Sequence, residues 1–260
     1  MRMKIGSYKK NPYMTHFLSH RGESDDAPEN TLAAFRLAVE RDSDGIELDL
    51  RLTADDELVC VHDTDLARVA GVEVTVASAT LAELRRFHPV PRLSEILSLL
   101  TPAMRLQIEL KGSDLRLPGR LAKVLDVWDG DRSQLAISSF EREIIMAAAD
   151  FLPDMPRLLL SVLEESDGCS PAPEKIAADL RSLCCTGISF RASSAADAGF
   201  VQKLYDFGFQ VNCWGIASDE LGLQMASCGV DTMTCNHAVA LRRQWRDVCQ
   251  STGKGENDTV

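Results

Sequence analysis

Residues 45–63 read GIELDLRLTADDELVCVHD and end the segment from His20 to Asp63, around which the rest of the chain is built. Glu47 and Asp49 alternate here with the aliphatic residues Ile46, Leu48 and Leu50. Successive side chains of a strand point to opposite faces, so both carboxylates lie on one face and the aliphatic side chains on the other. The pattern predicts a strand that buries one face and presents acidic groups on the other.

The second half of the stretch predicts a hairpin. Asp55 and Asp56 favour a tight turn. The few residues around them cannot hold a crossover helix, so the segment Leu58–His62 is expected to return antiparallel. With Asp55-Asp56 as a two-residue turn, counting outward sets Asp49 opposite His62. The hairpin would then bring two carboxylates and an imidazole together.

Two interpretations of this cluster remain open. Acidic residues on a strand commonly form a solvated face. Oxygen ligands two residues apart on one strand also suit a hard divalent cation such as Mg²⁺ or Ca²⁺, and an imidazole near a metal-bound phosphate suits proton transfer near neutral pH. The in-register His62 adds weight to the second interpretation without excluding the first.

Outward from this stretch, short apolar strands alternate with helical segments. Strands separated by helices imply parallel pairing with right-handed crossovers, and eight such units imply an α/β fold, the closed (β/α)8 TIM barrel. A short hairpin and an insertion over residues 64–103 follow the second strand. The predicted barrel strands are 15–19, 45–50, 105–111, 134–138, 157–162, 187–190, 209–214 and 230–234.

The domain limits follow from where this alternation starts and stops. We expect one domain over residues 15–249, preceded by a polar N-terminal arm over residues 1–14. The polar composition of residues 250–260 predicts a disordered tail.

Helix starts are predicted from capping residues. Asn30-Thr31 is expected to cap a helix whose apolar residues follow helical spacing. In the insertion, helices are predicted over 80–87 and 93–100, the second capped by Ser94 or the residue before it.

The composition limits the classes of partner. The chain has 39 acidic and 28 basic side chains, giving a formal net charge of −11. This charge argues against nucleic acid and against anionic membrane surfaces as partners. An anionic small-molecule substrate would need a local positive site, made by a metal with arginine or lysine.

The cysteines and the N-terminus bear on location. The eight cysteines form no CxxC pair and no zinc-ligand spacing, so free thiols in a reducing compartment are expected. The basic N-terminus lacks a continuous apolar run, which predicts no signal peptide. No stretch approaches the length of an apolar membrane span, so we expect a cytoplasmic protein without stable membrane insertion.

Polar and aromatic residues fall where the predicted strands end. Working residues of such barrels lie at the carboxyl ends of the strands, and a scattered set of surface charges would have no reason to gather there. The residues at or just after predicted strand ends are His20, Glu47, Asp49, Glu109, Lys111, Ser139, Trp214 and Asn236.

An ordered set of short motifs carries a resemblance. In order and spacing, the set is similar to that of the glycerophosphodiester phosphodiesterase family, and it spans most of residues 15–240. The motifs are His20-Arg21-Gly22, Pro28-Glu29-Asn30-Thr31, Glu47-x-Asp49, His62-Asp63, Ile108-Glu109-Leu110-Lys111, Ser138-Ser139-Phe140, Trp214 and Gly229-Val230-Asp231.

The resemblance implies metal-dependent acid–base chemistry. It implies that Glu47, Asp49 and Glu109 bind one divalent metal ion, Mg²⁺ or Ca²⁺, which acts as a Lewis acid on a phosphate oxygen. It implies that His20 and His62 are the acid–base pair. The order in which they act stays open, as does the attacking group, which is either a glycerol hydroxyl that forms a cyclic intermediate or water.

The resemblance also implies a set of substrate contacts. Arg21 and Lys111 would balance the phosphate charge, and Arg21 has the better shape for two-point binding. Glu29 would orient Arg21 or Lys111. Trp214 would wall the pocket against the glycerol part, although an aromatic residue that ends a barrel strand is often part of the core.

The implied activity is hydrolysis of a glycerophosphodiester to an alcohol and sn-glycerol 3-phosphate. The alternatives are a lysophospholipid or sugar-phosphate diester as substrate, or a barrel that binds phosphodiesters without turnover. The chain has Trp214-Gly215-Ile216-Ala217 where the family usually has Trp-Thr-Val-Asn, and Cys235-Asn236-His237-Ala238 where it usually has Thr-Asp-x-Pro. These departures leave the substrate in question. The short insertion predicts an open site, or one completed by a neighbouring subunit of a homo-oligomer.

Overall fold

The computed structural model describes residues 14–163 and 172–251. The predicted arm, apart from Met14, lies outside the described residues, as does the predicted tail from residue 252.

Eight parallel strands form a closed barrel. Each parallel strand pairs with two others, and the pairing of the first strand with the second closes the ring. This confirms the predicted (β/α)8 TIM barrel, with strand bounds within two residues of those predicted. The barrel strands are β1 His16–His20, β2 Gly45–Leu52, β4 Arg105–Leu110, β5 Leu135–Ser139, β6 Arg157–Ser161, β7 Gly187–Arg191, β8 Gln210–Trp214 and β9 Thr232–Cys235.

The additional strand, β3, forms the predicted hairpin with β2, but in a different register. β3 (Leu58–Cys60) runs antiparallel to β2, with Leu50 opposite Cys60, so Val61, not His62, follows opposite Asp49. The prediction of a two-residue turn was wrong by one residue. Three residues form the loop, and Asp56 takes the left-handed conformation with φ 60°, as in hairpins that join a type I turn to a left-handed residue.

The position of His62 therefore does not come from strand pairing. β3 ends at Cys60. The last contact between the two strands is the Val61 N–H, which donates to the Asp49 carbonyl oxygen at 3.1 Å, so His62 lies beyond the paired residues. The Arg51 guanidinium holds the next segment, donating from Nε at 3.0 Å and from Nη2 at 2.7 Å to the carbonyl oxygen of His62.

The first helix begins as the sequence predicted. Thr31 is the N-cap, and its hydroxyl accepts a hydrogen bond from the backbone of Ala34 at 3.3 Å. The helices are α1 Leu32–Glu40, α2 Ala67–Ala70, α3 Leu81–Leu84, α4 Leu93–Leu97, α5 Arg116–Asp126, α6 Arg142–Phe151, α7 Pro173–Ser182, α8 Ala198–Asp206, α9 Asp219–Ser227 and α10 Ala238–Ser251.

The insertion carries α2, α3 and α4 beside the hairpin and has its own small apolar core. Both predicted helices are shorter than expected, and the predicted cap of the second was wrong. Arg92 stands at the N-cap position of α4, and its backbone N–H donates to the Glu95 carboxylate at 2.7 Å. The insertion core comprises Val59, Val61, Leu66, Val76, Ala79, Leu81, Leu84 and Val90.

The sequence analysis missed the last helix, α10. Its buried residues Leu241, Trp245 and Cys249 recur at helical spacing and join the larger core cluster. Because Gln250 and Ser251 belong to this helix, the predicted disorder does not hold for these two residues.

The barrel strands separate apolar from polar side chains. Ile46 and Leu48 of β2 are fully buried in the cluster that also contains residues of α1 and α5. Polar side chains meet one another across the barrel: Gln107 donates to the Ser138 hydroxyl at 3.3 Å and accepts from the Asn212 amide at 3.3 Å. This polar layer lies below the functional residues at the carboxyl ends of the strands.

Candidate active site

Two neighbouring strands supply an acidic cluster at the barrel mouth. The parallel register of β2 and β4 sets Asp49 beside Glu109 and Glu47 beside Gln107. Carboxylate oxygens of Glu47, Asp49 and Glu109 lie within 4.8 Å of one another, and all three side chains are buried. Among the residues that the structure describes, this is the one cluster of three or more acidic, histidine or cysteine side chains whose ligand atoms lie close enough together to hold a metal ion.

The three carboxyl groups differ in their pKa. Burial, then the charges of Asp49 and Glu109, raise the pKa of Glu47 well above its ordinary value. Burial and the charge of Asp49 raise the pKa of Glu109 to about 7. Burial opposes ionisation of Asp49 as well, but the charges of Lys111 and Arg21 lower its pKa overall. Two of the three groups therefore retain protons at pH values where an exposed glutamate is ionised.

Two basic side chains compensate this buried negative charge. The Lys111 Nζ lies 2.7 Å from Glu109 Oε1 and 3.1 Å from Asp49 Oδ1. The Arg21 Nε lies 3.1 Å from Asp49 Oδ2, to which the Asn30 amide also donates at 2.7 Å. Buried carboxylates are costly unless they are paired in this way.

The donor set fits a hard divalent cation. Mg²⁺ and Ca²⁺ are bound by oxygen ligands, and carboxylates from two adjacent strands supply them here. Within residues 14–163 and 172–251, Asp49 Oδ1 is buried and has its ion-pair contact with Lys111 but no hydrogen bond. A carboxylate oxygen that is balanced by one ammonium group can instead bind a divalent cation. Glu47, Asp49 and Glu109 are thus the residues that could hold the cation.

The loop after β1 adopts an unusual backbone that places Arg21 over the cluster. Arg21 has φ 58° and Gly22 has φ 82°, and the Arg21 backbone N–H donates to the Glu47 carbonyl oxygen at 2.9 Å. A Cβ on Gly22 would lie 2.6 Å from the backbone carbon of Ala34, so only glycine allows this approach of the loop to α1. Left-handed conformations outside glycine are costly and often occur at functional sites.

His20 is held by an amide. Its Nδ1 lies 2.7 Å from Asn236 Oδ1, and because an amide oxygen can only accept, Nδ1 carries the proton. The Nε2 atom faces the cluster, 3.9 Å from Glu47 Oε2. Burial, followed by the charge of Arg21, lowers the pKa of His20 below its ordinary value, so the imidazole is neutral and free to accept a proton at Nε2.

His62 is held by a carboxylate instead. Its Nδ1 lies 2.7 Å from Asp63 Oδ1, which leaves Nε2 as the other functional nitrogen. Burial lowers the pKa of His62 overall, although the charge of Asp49 and the hydrogen bond to Asp63 act in the opposite direction. The two imidazoles therefore have different partners, an amide for His20 and a carboxylate for His62.

One cavity of about 370 Å³ opens above these groups. Of the predicted site residues, Asp49 and Glu29 lie outside its lining: Asp49 is buried beneath it, and Glu29 contacts Arg21 at 2.9 Å. Glu29 thus lies where the sequence analysis placed it, beside Arg21. The predicted residues that line the cavity are His20, Arg21, Glu47, His62, Glu109, Lys111 and Trp214.

Part of the cavity wall is apolar. The Trp214 ring meets the Phe140 ring edge to face, with ring centroids 5.5 Å apart. The Trp214 indole N–H donates to the Ser189 carbonyl oxygen at 3.2 Å, which fixes the ring. Leu160 and Ile216 complete this apolar wall. Trp214 is therefore part of the cavity rather than of the core.

Sequence analysis did not foresee three polar contacts around the site. Asn236 was placed at a strand end, but its hydrogen bond to His20 spans 216 residues and leaves no local signal. Asn30-Thr31 was predicted as a helix cap: Thr31 does cap α1, but the Asn30 side chain binds Asp49 instead. Arg68 contacts both Asp63 and Glu29, and nothing in its sequence surroundings pointed to the site.

Comparison with known proteins identifies the family. Residues 20–240 match the profile of the glycerophosphoryl diester phosphodiesterase family. The chain belongs to this family. A glycerophosphodiester phosphodiesterase of Bacillus altitudinis is 35% identical over 166 residues, which cover 58% of this chain and 66% of the relative. One of Caldanaerobacter subterraneus is 34% identical over 142 residues, which cover 48% and 58%. Each alignment spans less than two thirds of the relative.

Solved structures agree on the fold. The structure of an Oleispira antarctica phosphodiesterase in complex with the product sn-glycerol-3-phosphate matches with a TM-score of 0.77 and 24% identity, covering 90% of this chain and 98% of that one. A putative glycerophosphoryl diester phosphodiesterase of Agrobacterium tumefaciens gives 0.79 at 18% identity, covering 91% and 99%. At this level of identity, both comparisons establish the barrel alone.

The helices also bear on the membrane prediction. In the part of the chain that the structure describes, no helix combines the length and apolar character that crossing a membrane requires.

Proposed function

We propose that this chain hydrolyses glycerophosphodiesters to an alcohol and sn-glycerol 3-phosphate by metal-dependent acid–base catalysis. The observation that carries the proposal is the convergence of two fixed imidazoles and three buried carboxylates on one cavity. Membership of the family supports the reaction class. The product bound to the Oleispira antarctica phosphodiesterase supports sn-glycerol 3-phosphate as the phosphate-bearing product.

Glu47, Asp49 and Glu109 would hold one divalent cation, Mg²⁺ or Ca²⁺. A bound cation would supply Lewis-acid polarisation of a nonbridging phosphate oxygen. Lys111 contacts Asp49 and Glu109, and Arg21 contacts Asp49. Their positive charges therefore lie beside the place where a phosphate would bind. Local positive charge is required here because the whole chain carries a net charge of −11.

The imidazoles move the protons. One Nε2 removes the proton of the attacking hydroxyl, and the other, protonated, donates to the leaving alkoxide. Asn236 and Asp63 bind the opposite nitrogens, so each ring presents Nε2 to the cavity. The attacking hydroxyl belongs either to the glycerol of the substrate or to water, and detection of a cyclic phosphate product distinguishes the two.

Arg21 and the apolar wall would orient the substrate. The Arg21 guanidinium is held by Glu29 at 2.9 Å and suits two-point binding of a phosphate. Trp214 and Phe140 offer an apolar surface to the carbon atoms of the glycerol or of the alcohol. A substrate with a short polar alcohol fits a cavity of about 370 Å³ better than one with a long acyl chain.

A cytoplasmic location remains part of the proposal. All seven described cysteines are free thiols, which supports a reducing compartment. A homo-oligomer remains a prediction from the short insertion.

The test is turnover of a substrate panel by matched histidine variants. Glycerophosphocholine, glycerophosphoethanolamine and a lysophospholipid are incubated with the wild-type protein and with His20→Ala, His62→Ala and His88→Ala. We expect release of glycerol 3-phosphate from the first two substrates, with losses of at least about 100-fold in the first two variants, as is typical for acid–base groups. His88 lies in the insertion and does not line the cavity, so His88→Ala serves as the control.

Preferential turnover of the lysophospholipid would replace the proposed substrate class. Absence of turnover with all three substrates would contradict the proposal.

A further inference from the structure

Arg68 of the insertion binds two carboxylates at once. Its Nε lies 2.6 Å from Asp63 Oδ2. Its Nη1 and Nη2 lie 2.8 Å and 2.6 Å from the two carboxylate oxygens of Glu29. One planar guanidinium therefore joins Asp63, which follows the hairpin, to Glu29, which lies in the loop between β1 and α1.

The Asp63 side of this contact leads to His62. While Oδ2 of Asp63 accepts from Arg68, its Oδ1 lies 2.7 Å from His62 Nδ1. Both oxygens of Asp63 are thus occupied, and the carboxylate cannot rotate without breaking one of the two bonds. The orientation of the His62 ring depends on Arg68 through this single carboxylate.

The Glu29 side leads to Arg21. Glu29 Oε1 accepts from Arg21 Nη1 at 2.9 Å, and Arg21 Nε in turn lies 3.1 Å from Asp49. The charges of Arg68 and Arg21 lower the pKa of Glu29 despite its burial, so the group is ionised and binds both guanidinium groups. Arg68 thereby fixes the carboxylate that holds Arg21.

Contacts within the insertion hold the backbone segment that precedes Arg68. Leu66, two residues before it, is fully buried in the insertion core, and its backbone N–H donates to the carbonyl oxygen of Val74 at 3.2 Å. Asp65 and Thr75 form an antiparallel bridge beside this pair. The segments before and after the short helix α2 are therefore joined to each other, and Arg68 extends from the helix between them.

The energetics favour a positional role over a stabilising one. The Arg68 side chain is about half exposed, at 49%, and ion pairs at such sites contribute little to folding stability. A rigid fork of donors that serves two carboxylates is a property of arginine that lysine lacks. The insertion thus has a defined task at the barrel mouth, although it contributes no residue to the acidic cluster.

We propose that Arg68 is a positioning residue that fixes His62 through Asp63 and Arg21 through Glu29. The proposal rests on the proposed function, since it assigns those two side chains to proton transfer and phosphate binding. It gives the insertion a role in the reaction: formation of the site requires α2 to be docked against the loop after β1.

The first test compares Arg68→Met and Arg68→Lys with Arg85→Met. Arg85 also lies in the insertion and pairs with Glu95, away from the cavity, so its variant is the matched control. In Arg68→Met we expect kcat to fall by about 10- to 100-fold, as for other residues that orient functional groups, with KM raised as well because Arg21 is released. Arg68→Lys should recover part of kcat. Thermal stability should match that of Arg85→Met.

The second readout does not depend on turnover. The protein has five histidines, so their imidazole ¹⁵N signals can be assigned by single substitutions. The Nδ1–H signal of His62 should be sharp in the wild-type protein and in Arg85→Met, and should broaden or shift in Arg68→Met. The Nδ1–H signal of His20 should stay as sharp as in the wild-type protein, because Asn236 rather than Asp63 holds that ring.

Two results would overturn the proposal. One is Arg68→Met with the kcat of Arg85→Met and an unchanged His62 signal. The other is a loss of kcat that parallels a loss of thermal stability, with Arg68→Lys no better, since that pattern describes a structural residue. If the wild-type protein turns over no substrate, the proposed function fails, and the His62 signal still decides the role of Arg68.

Discussion

At the scale of single residues, the site consists of buried charges in compensating pairs. Three carboxylates share the barrel mouth with Lys111 and Arg21. Such groups remain buried only because opposite charges and hydrogen bonds offset the loss of hydration. The outcome differs among them: Asp49 is ionised, whereas Glu109 has a pKa of about 7.

The raised pKa of Glu109 gives a testable pH dependence. Its pKa is about 7 in the folded protein and 4.5 ordinarily, so between these values the folded state retains a proton that the unfolded state releases. Stability from this group therefore falls as pH rises from about 4.5 to about 7. Glu109→Gln cannot titrate. In EDTA, the free energy of unfolding of the wild-type protein should fall relative to that of the variant over this window.

Urea unfolding at a series of pH values measures this difference directly. A difference between the two proteins that stays constant over the window would contradict the raised pKa. Saturating divalent cation should remove the effect, since metal binding requires the ionised carboxylate.

The sequence patterns predicted on which face of a strand a residue lies, but they did not predict which residues contact each other. The alternation around Asp49 predicted which side chains share a face, because strand period is a local property. The hydrogen bond between His20 and Asn236 joins the first barrel strand to the residue after the last one. The contact of Arg68 with Glu29 spans 39 residues. Such contacts depend on how the elements are arranged in space, so no local pattern reports them.

At the scale of elements, the eight barrel strands were predictable and the hairpin register was not. Apolar strands and helix caps such as Thr31 are set by short-range preferences. The register depended on Asp56, which adopts φ 60° and lengthens the loop to three residues. Aspartate tolerates this conformation but does not require it, so the sequence allowed both turn lengths.

A pair of substitutions at Asp56 tests the backbone conformation of this loop. Asp56→Gly and Asp56→Ala both remove the ion pair with Arg116, so they differ mainly in the cost of a positive φ. Asp56→Ala should be less stable than Asp56→Gly by about 1 kcal/mol, because a Cβ disfavours the left-handed conformation. Chemical denaturation of both variants gives the difference. Equal stability would indicate that the loop adopts another conformation.

The last helix was also missed at this scale. The buried residues Leu241, Trp245 and Cys249 have helical spacing. The helix follows the last predicted strand directly, and the prediction of a domain ending near residue 249 did not assign it. In the structure α10 packs against β1 and β9, so the last helix of the chain covers the first and last barrel strands.

At the scale of the whole molecule, a partly buried ion pair joins distant parts of the chain at this closure. Arg242 of α10 binds Asp44, just before β2, at 2.6 Å, and the other oxygen of Asp44 accepts from the backbone of Phe17 in β1 at 3.0 Å. One carboxylate therefore joins three elements around the point where the barrel closes.

Breaking this pair should destabilise the whole barrel. Arg242→Met leaves Asp44 without its cation, and removal of one partner of a buried pair typically costs about 3 kcal/mol. Arg243→Met, at the exposed neighbouring position, is the control. Denaturant unfolding should show the loss for Arg242→Met alone. Equal stability of the two variants would show that the ion pair does not stabilise the closure.

The overall charge of the molecule sets the context for its site. A net charge of −11 disfavours the approach of an anionic diester. The cavity offsets this with Arg21, Lys111 and, in the proposed function, a divalent cation. Catalysis should therefore depend on the metal for charge as well as for reactivity.

The most direct test of the central claim is hydrolysis of glycerophosphocholine by metal-free protein, followed by addition of Mg²⁺ or Ca²⁺, beside His20→Ala. We expect no release of glycerol 3-phosphate in EDTA, recovery when metal is restored, and no recovery in His20→Ala. Turnover that continues unchanged in EDTA, or in His20→Ala, would contradict the proposed roles of the acidic cluster and of the imidazole pair.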